Sequence, residues 1–113
     1  MPDRDKPSVL RDHLVSVAES RETTTYGDVA NVLDDIPVNV GRYVYEVCRR
    51  CVQRGEPMLG ALIVSKKSGK PGNGFYENAH EFGRTQKPPE DMSEEVKEEF
   101  WLNEVERVYE ELG

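Results

Sequence analysis

A mainly α-helical fold with one small β-hairpin is what this sequence predicts, and three stretches carry the prediction. Residues 36–55, IPVNVGRYVYEVCRRCVQRG, set Val40, Val44, Val47 and Cys51 at the three-and-four spacing of one helical face. Arg42, Arg49 and Gln53 fall on another face, with Tyr45 between the arginines. Ahead of this stretch, TTTYGDVANVLDD reads as a short polar run and a second helix. Behind it, ALIVSKKSGKPGNGF reads as a strand and a lysine-bearing Gly/Pro turn. Helix, turn, arginine helix and basic hairpin, in that order, predict a winged helix-turn-helix, with a long C-terminal amphipathic helix after it.

Taken in order, residues 1–7 hold two prolines and alternating charges and form a loose lead-in. Residues 8–76 form the winged-helix domain. Ser8 is placed to cap a helix reaching about Ser20, with Val9, Leu10, Leu14, Val17 and Ala18 on its apolar face. His13 lies off that face, beside Asp12, and reads as a surface histidine. Thr23 to Tyr26 favour an extended piece. Gly27 or Asp28 then opens a helix carrying Val29, Ala30, Val32 and Leu33. Ile36-Pro37 breaks it, because proline cannot continue the hydrogen-bond ladder and restricts the residue before it. Asn39 is placed to cap the arginine helix, and Gly55-Glu56-Pro57 ends it. Residues 58–65, MLGALIVS, are a nearly continuous apolar run of strand length, Lys66 to Gly74 are a flexible loop or hairpin tip, and Phe75 and Tyr76 anchor the returning arm against the body. Residues 77–90 read as an irregular polar linker. Residues 91–113 hold an acidic amphipathic helix running from Asp91 or Ser93 to Leu112 and opened by the capping pattern Asp91-x-x-Glu94. Val96, Phe100, Trp101, Val105, Val108, Tyr109 and Leu112 make its broad apolar face, which packs on the domain or dimerises.

The chain of 113 residues is one domain with a modest core. It contains no apolar run of the roughly 18 residues that a membrane-spanning helix needs, and its first residues lack a secretory signal's apolar core. Cys48 and Cys51 fall inside the arginine helix, and with only His13 and His80 to add, a zinc site lacks its ligand set. Buried, reduced thiols in a cytoplasmic protein are the expectation. The formal charge of −7 is unevenly spread: residues 1–35 carry eight acids and four bases, 36–80 three acids and seven bases, and 81–113 eleven acids and four bases. A basic centre between acidic ends suits one DNA-facing surface on an otherwise repelling particle. The run G-K-P-G-N-G does not match a phosphate-binding loop. No nucleophile stands with the lone histidines to suggest an enzyme, so neither catalysis nor a cofactor is expected.

Thr25-Tyr26-Gly27-Asp28-Val29-Ala30, followed by Gly41-Arg42-Tyr43-Val44 and Arg49, resembles the C-terminal DNA-binding domain of alkylguanine-DNA alkyltransferases and alkyltransferase-like proteins, over roughly residues 20–64. In that family an S-Y-G-x-L-A segment opens the helix-turn-helix and an A-R-A-V-G-x-A-M-R segment forms the recognition helix. The resemblance implies a winged-helix fold. It matches Tyr26 to the family tyrosine that rotates a nucleotide phosphate, Arg42 to the arginine that replaces a flipped base in the stack, and Arg49 to the second arginine. The family's P-C-H-R motif has no counterpart here, so the resemblance implies DNA contact and not alkyl transfer.

The functional expectation is a small transcriptional regulator or accessory factor that binds duplex DNA without chemistry. Arg42 and Arg49 approach guanine edges or phosphates in the major groove, flanked by Tyr45 and Gln53. Lys66, Lys67 and Lys70 in the wing contact phosphate, and Asn39 and Thr25 add neutral phosphate contacts. Tyr26 joins them through the resemblance. A homodimer through residues 93–112 is the expected assembly; no membrane and no small-molecule substrate are expected. The other reading is a non-enzymatic protein-interaction module on the same scaffold, favoured by the acidic C-terminal segment. A variant joins the two: the acidic helix covers the basic face until a partner displaces it.

Overall fold

The computed structural model describes residues 5–112. Along these the chain forms α1 (Lys6–Glu19), β1 (Thr24–Thr25), α2 (Tyr26–Leu33), α3 (Pro37–Gln53), a 3-10 turn (Leu59–Leu62), β2 (Ile63–Val64), α4 (Asn73–Glu81), a second 3-10 turn (Pro89–Asp91) and α5 (Glu94–Leu112). It is mainly helical with one small sheet. The sheet is not a hairpin: β1 and β2 run parallel, pairing Thr24 with Ile63 and Thr25 with Val64. Parallel neighbours need a long crossover, and here α2, α3 and the 59–62 turn supply it.

The start signals act one step away from where the sequence suggests. Asp5, not Ser8, caps α1: its carboxylate accepts from the Ser8 amide at 2.8 Å, with proline in the first turn. Thr25 Oγ1 accepts from the Asp28 amide at 3.2 Å and caps α2. The arginine helix begins two residues before Asn39, at Pro37, and its cap residue Ile36 offers no side-chain hydrogen bond. At α5 the cap is Ser93, the second of the two expected starts, rather than the Asp91 pattern, its hydroxyl accepting from the Val96 amide at 3.2 Å. Helix ends share one device. Arg21, Asp34, Gly55 and Gly83 each adopt positive φ, and the next amide returns to a carbonyl five residues back, as in Glu56 N to Cys51 O at 2.9 Å.

The core is built around α3, whose Val40, Val44, Val47, Cys48 and Cys51 are buried against α1, α2 and the 59–62 turn. The apolar run 58–65 is wholly interior up to Val64, yet only Ile63 and Val64 are strand. Gly60 explains the coil before them. A Cβ built there would stand 2.7 Å from Cys48 Sγ and 3.1 Å from Val44 Cγ1, so backbone presses directly onto α3. Residues 73–81, placed in the sequence reading partly in the wing and partly in an irregular linker, are helical because Phe75, Tyr76, Ala79 and Phe82 recur on one side and Gly83 stops the helix at φ +78.

α5 packs on α1 and on the 59–62 turn. Trp101, Val105 and Val108 are buried as their spacing predicts, with Trp101 Nε1 donating to the Ala61 carbonyl at 2.8 Å, but Val96 is half exposed. Glu104 is buried among them: it accepts from the Met58 amide at 3.0 Å and pairs with Arg84 and Arg107. A buried carboxylate is tolerated when its lone pairs are filled in this way. His13 is also less exposed than expected: its Nε2 is enclosed without a hydrogen-bond partner among the described residues.

Candidate nucleic-acid interface

Helical period puts one stripe of α3 opposite its buried face. Residues 38, 42, 45, 49 and 53, spaced by fours and threes, form that stripe. Arg42 and Gln53 on it are exposed, Tyr45 is 37% exposed, and Arg49 is half-buried. The structure therefore brings four of the expected residues onto one outward face. They are not equally free. No hydrogen bond or ion pair engages Arg42 among the described residues. Arg49 forks onto Glu46 of its own helix, Nε to Oε2 at 2.9 Å and Nη2 to Oε1, and this pairing holds the Glu46 carboxyl below its ordinary pKa. The Tyr45 ring lies against Phe82, centroids 5.2 Å apart, and the neighbouring Glu81 carboxylate raises its phenol above the ordinary value. α4 therefore flanks the C-terminal half of the stripe, and the N-terminal half stays open.

Three of the remaining expected residues, Thr25, Tyr26 and Asn39, have structural duties of their own. Thr25 spends its hydroxyl on the α2 cap. Tyr26 opens α2 and its hydroxyl accepts from the Gly72 amide at 3.4 Å. Tyr26 also lines a small cleft of about 130 Å³ with Gly41, Val44, Gly60, Phe75 and Asn78. Asn39 donates to Asp35 Oδ1 at 2.7 Å. Lys66, Lys67 and Lys70 are exposed on the loop between β2 and α4. This loop is not the returning arm of a hairpin but a closed turn: the Ser65 amide donates to the Lys70 carbonyl and the Gly69 amide to the Ser65 carbonyl, both at 2.8 Å. Lys70 also approaches Glu98 of α5 at 3.9 Å, a loose surface pair.

Asp35 is the residue that sequence reading missed. In the turn between α2 and α3 it accepts from Lys6 Nζ at 2.8 Å, Asn39 Nδ2 at 2.7 Å, Tyr43 Oη at 2.9 Å and the Ile36 amide at 2.8 Å. The Lys6 ammonium, then Asn39, the backbone amide and Tyr43, hold its carboxyl far below the ordinary 3.8. Part of this was legible, since residues 35, 39 and 43 are spaced by four. Lys6, on another helix, was not. The turn and Lys66 border a recess of about 440 Å³ lined also by Thr25, Asp28 and Asn31.

The acidic helix does not cover the arginines. Carboxylates of α5 pair with Lys70, Arg84, Lys97 and Arg107, and none pairs with an arginine of α3 among the described residues. No described helix is long and apolar enough to cross a membrane, and no described group of three or more His, Cys, Asp or Glu is placed to hold a metal ion. Comparison with known protein families, with curated proteins and with solved structures finds no match to this chain.

Proposed function

We propose that this chain is a small DNA-binding protein that uses α2 and α3 as a helix-turn-helix and serves as a transcriptional regulator or accessory factor. The observation that carries the reading is the uncovered N-terminal half of the α3 stripe, where the Arg42 guanidinium stands exposed with no carboxylate paired to it among the described residues. Arg42 reaches guanine edges or phosphates in the major groove, with Arg49, Tyr45 and Gln53 further along the helix. In this reading the loop carrying Lys66, Lys67 and Lys70 takes the place of the wing and contacts phosphate. Residues 8–76 then correspond to a winged helix whose hairpin is reduced to a turn. The alkyltransferase-like motif fits the same reading, since Tyr26 opens the first helix and Arg42 stands on the second. A homodimer through residues 93–112 belongs to the proposal as well: Val96 and Leu102, 51% and 47% exposed, are the apolar residues at which a second copy would meet α5. A mobility-shift assay on random-sequence duplex at low and moderate salt tests it. Binding that weakens steeply with salt and is lost in the double substitution Arg42→Ala, Arg49→Ala supports it; no shift at either salt overturns it.

One observation favours a second reading, a protein-interaction module on the same scaffold. Ile36 and Val38 leave an apolar tip in solvent at the α2–α3 turn, and such tips also dock on proteins.

A further inference from the structure

Val38 completes the outward stripe of α3. It stands four residues before Arg42, so the two side chains share a face about 6 Å apart along the axis at 1.5 Å per residue. It is 80% exposed, more than any other large apolar residue among those described, and Ile36 in the adjoining turn is 58% exposed. Neither belongs to the buried core or to the partly buried shell packed against it. Both lie at the open end of the stripe, away from Tyr45 and Phe82. The charge on this side of the stripe comes from Arg42, which no hydrogen bond or ion pair engages among the described residues; Lys66 borders the recess that Ile36 and Pro37 line, where Asp28 also stands and the Asp35 carboxylate at the start of α3 is paired with Lys6.

Resting on the DNA-binding reading above, we infer that Val38, with Ile36 beside it, meets the C5-methyl group of a pyrimidine in the major groove. That methyl is the apolar group the groove floor offers, and the first residues of a recognition helix are those that reach base edges. Arg42, one turn on, donates to a guanine in an adjacent base pair or the next but one. A methyl on thymine or on 5-methylcytosine presents the same surface, so the chain reads a methylated pyrimidine near a guanine.

The test enriches a randomised duplex pool on the full chain. Each enriched thymine is then replaced by uracil, and each enriched cytosine is compared with 5-methylcytosine. The expected result is a position at which removing the methyl weakens binding about fourfold, the value of one buried methyl group. The thymine and cytosine arms tell which base supplies it. Val38→Ala, at a solvent-exposed site, binds with an unchanged salt slope and no longer distinguishes the methylated from the unmethylated base. Equal affinity for both bases at every position overturns the inference and leaves the DNA-binding reading standing. So does discrimination that survives in Val38→Ala. Binding to no duplex at any salt overturns both.

Discussion

The guanidinium of Arg49 closes on the Glu46 carboxylate one turn back in the same helix, while Arg42 on the same outward stripe has no partner among the described residues. The two arginines are equivalent by helical spacing and unequal in availability. Arg42→Ala is expected to weaken duplex binding by about 1–3 kcal/mol, the range of a base-reading arginine, and Arg49→Ala by less. Glu46→Gln releases Arg49, whereas Arg50, whose Nε lies 3.2 Å from Glu46 Oε1, stays held by Asp5 at 3.7 Å and by the Ser8 hydroxyl. An exposed pair of this kind contributes little, so this substitution tightens binding by a few-fold at most. A titration of the three variants at one fixed salt checks the order.

Lys66 and Lys67 are exposed on a turn held by its own backbone, so their removal leaves the turn standing. Each of Lys66→Ala and Lys67→Ala makes the log-log salt dependence of DNA binding shallower by about 0.9. Lys70→Ala acts in the same direction and more weakly, because Glu98 already shares that ammonium. Affinities measured over a salt series separate the three.

Asp35 gives the fold an acid-sensitive joint. Its carboxyl is held below the ordinary 3.8 in the folded chain. The stabilisation this represents is complete above that ordinary value and is lost as pH falls through the lower folded value. Asp35→Asn therefore lowers the urea midpoint at pH 6, and the gap between variant and parent narrows progressively below pH 4. A gap constant from pH 6 to pH 2 would show that charge on Asp35 contributes nothing.

Gly60 has no room for a side chain. Gly60→Ala drives a methyl against Cys48 and Val44, a strain of about 1–3 kcal/mol in a close-packed interior. Unfolding followed by the fluorescence of Trp101, which donates to the neighbouring Ala61 carbonyl, reads the loss directly. Gly41→Ala, where a Cβ meets nothing within 4 Å, is the control and leaves stability unchanged or raised.

Burial pushes the Cys48 thiol up to about 12 and raises that of Cys51. Thiolate is the reactive form, so neither cysteine reacts with a disulfide reagent at pH 8 while the chain is folded, and both react in denaturant. A fast-reacting thiol in the native protein would contradict the packing of α3 onto the 59–62 turn.

The sequence by itself determined the two faces of α3, the apolar sides of α1 and much of that of α5, because each is a period of three and four read along one helix. It placed Arg42, Tyr45, Arg49 and Gln53 on one face for the same reason. Tertiary structure decided what periodicity does not encode. Gly60 turns the apolar run 58–65 into a coil because α3 approaches it, and Glu104 is drawn inside by the Met58 amide, 46 residues away. The parallel pairing of residues 24–25 with 63–64 turns the expected wing into a turn leading to α4. Val38 stays in solvent and Tyr45 meets Phe82 because of where α4 lies, and that placement rests on contacts between segments far apart in the chain.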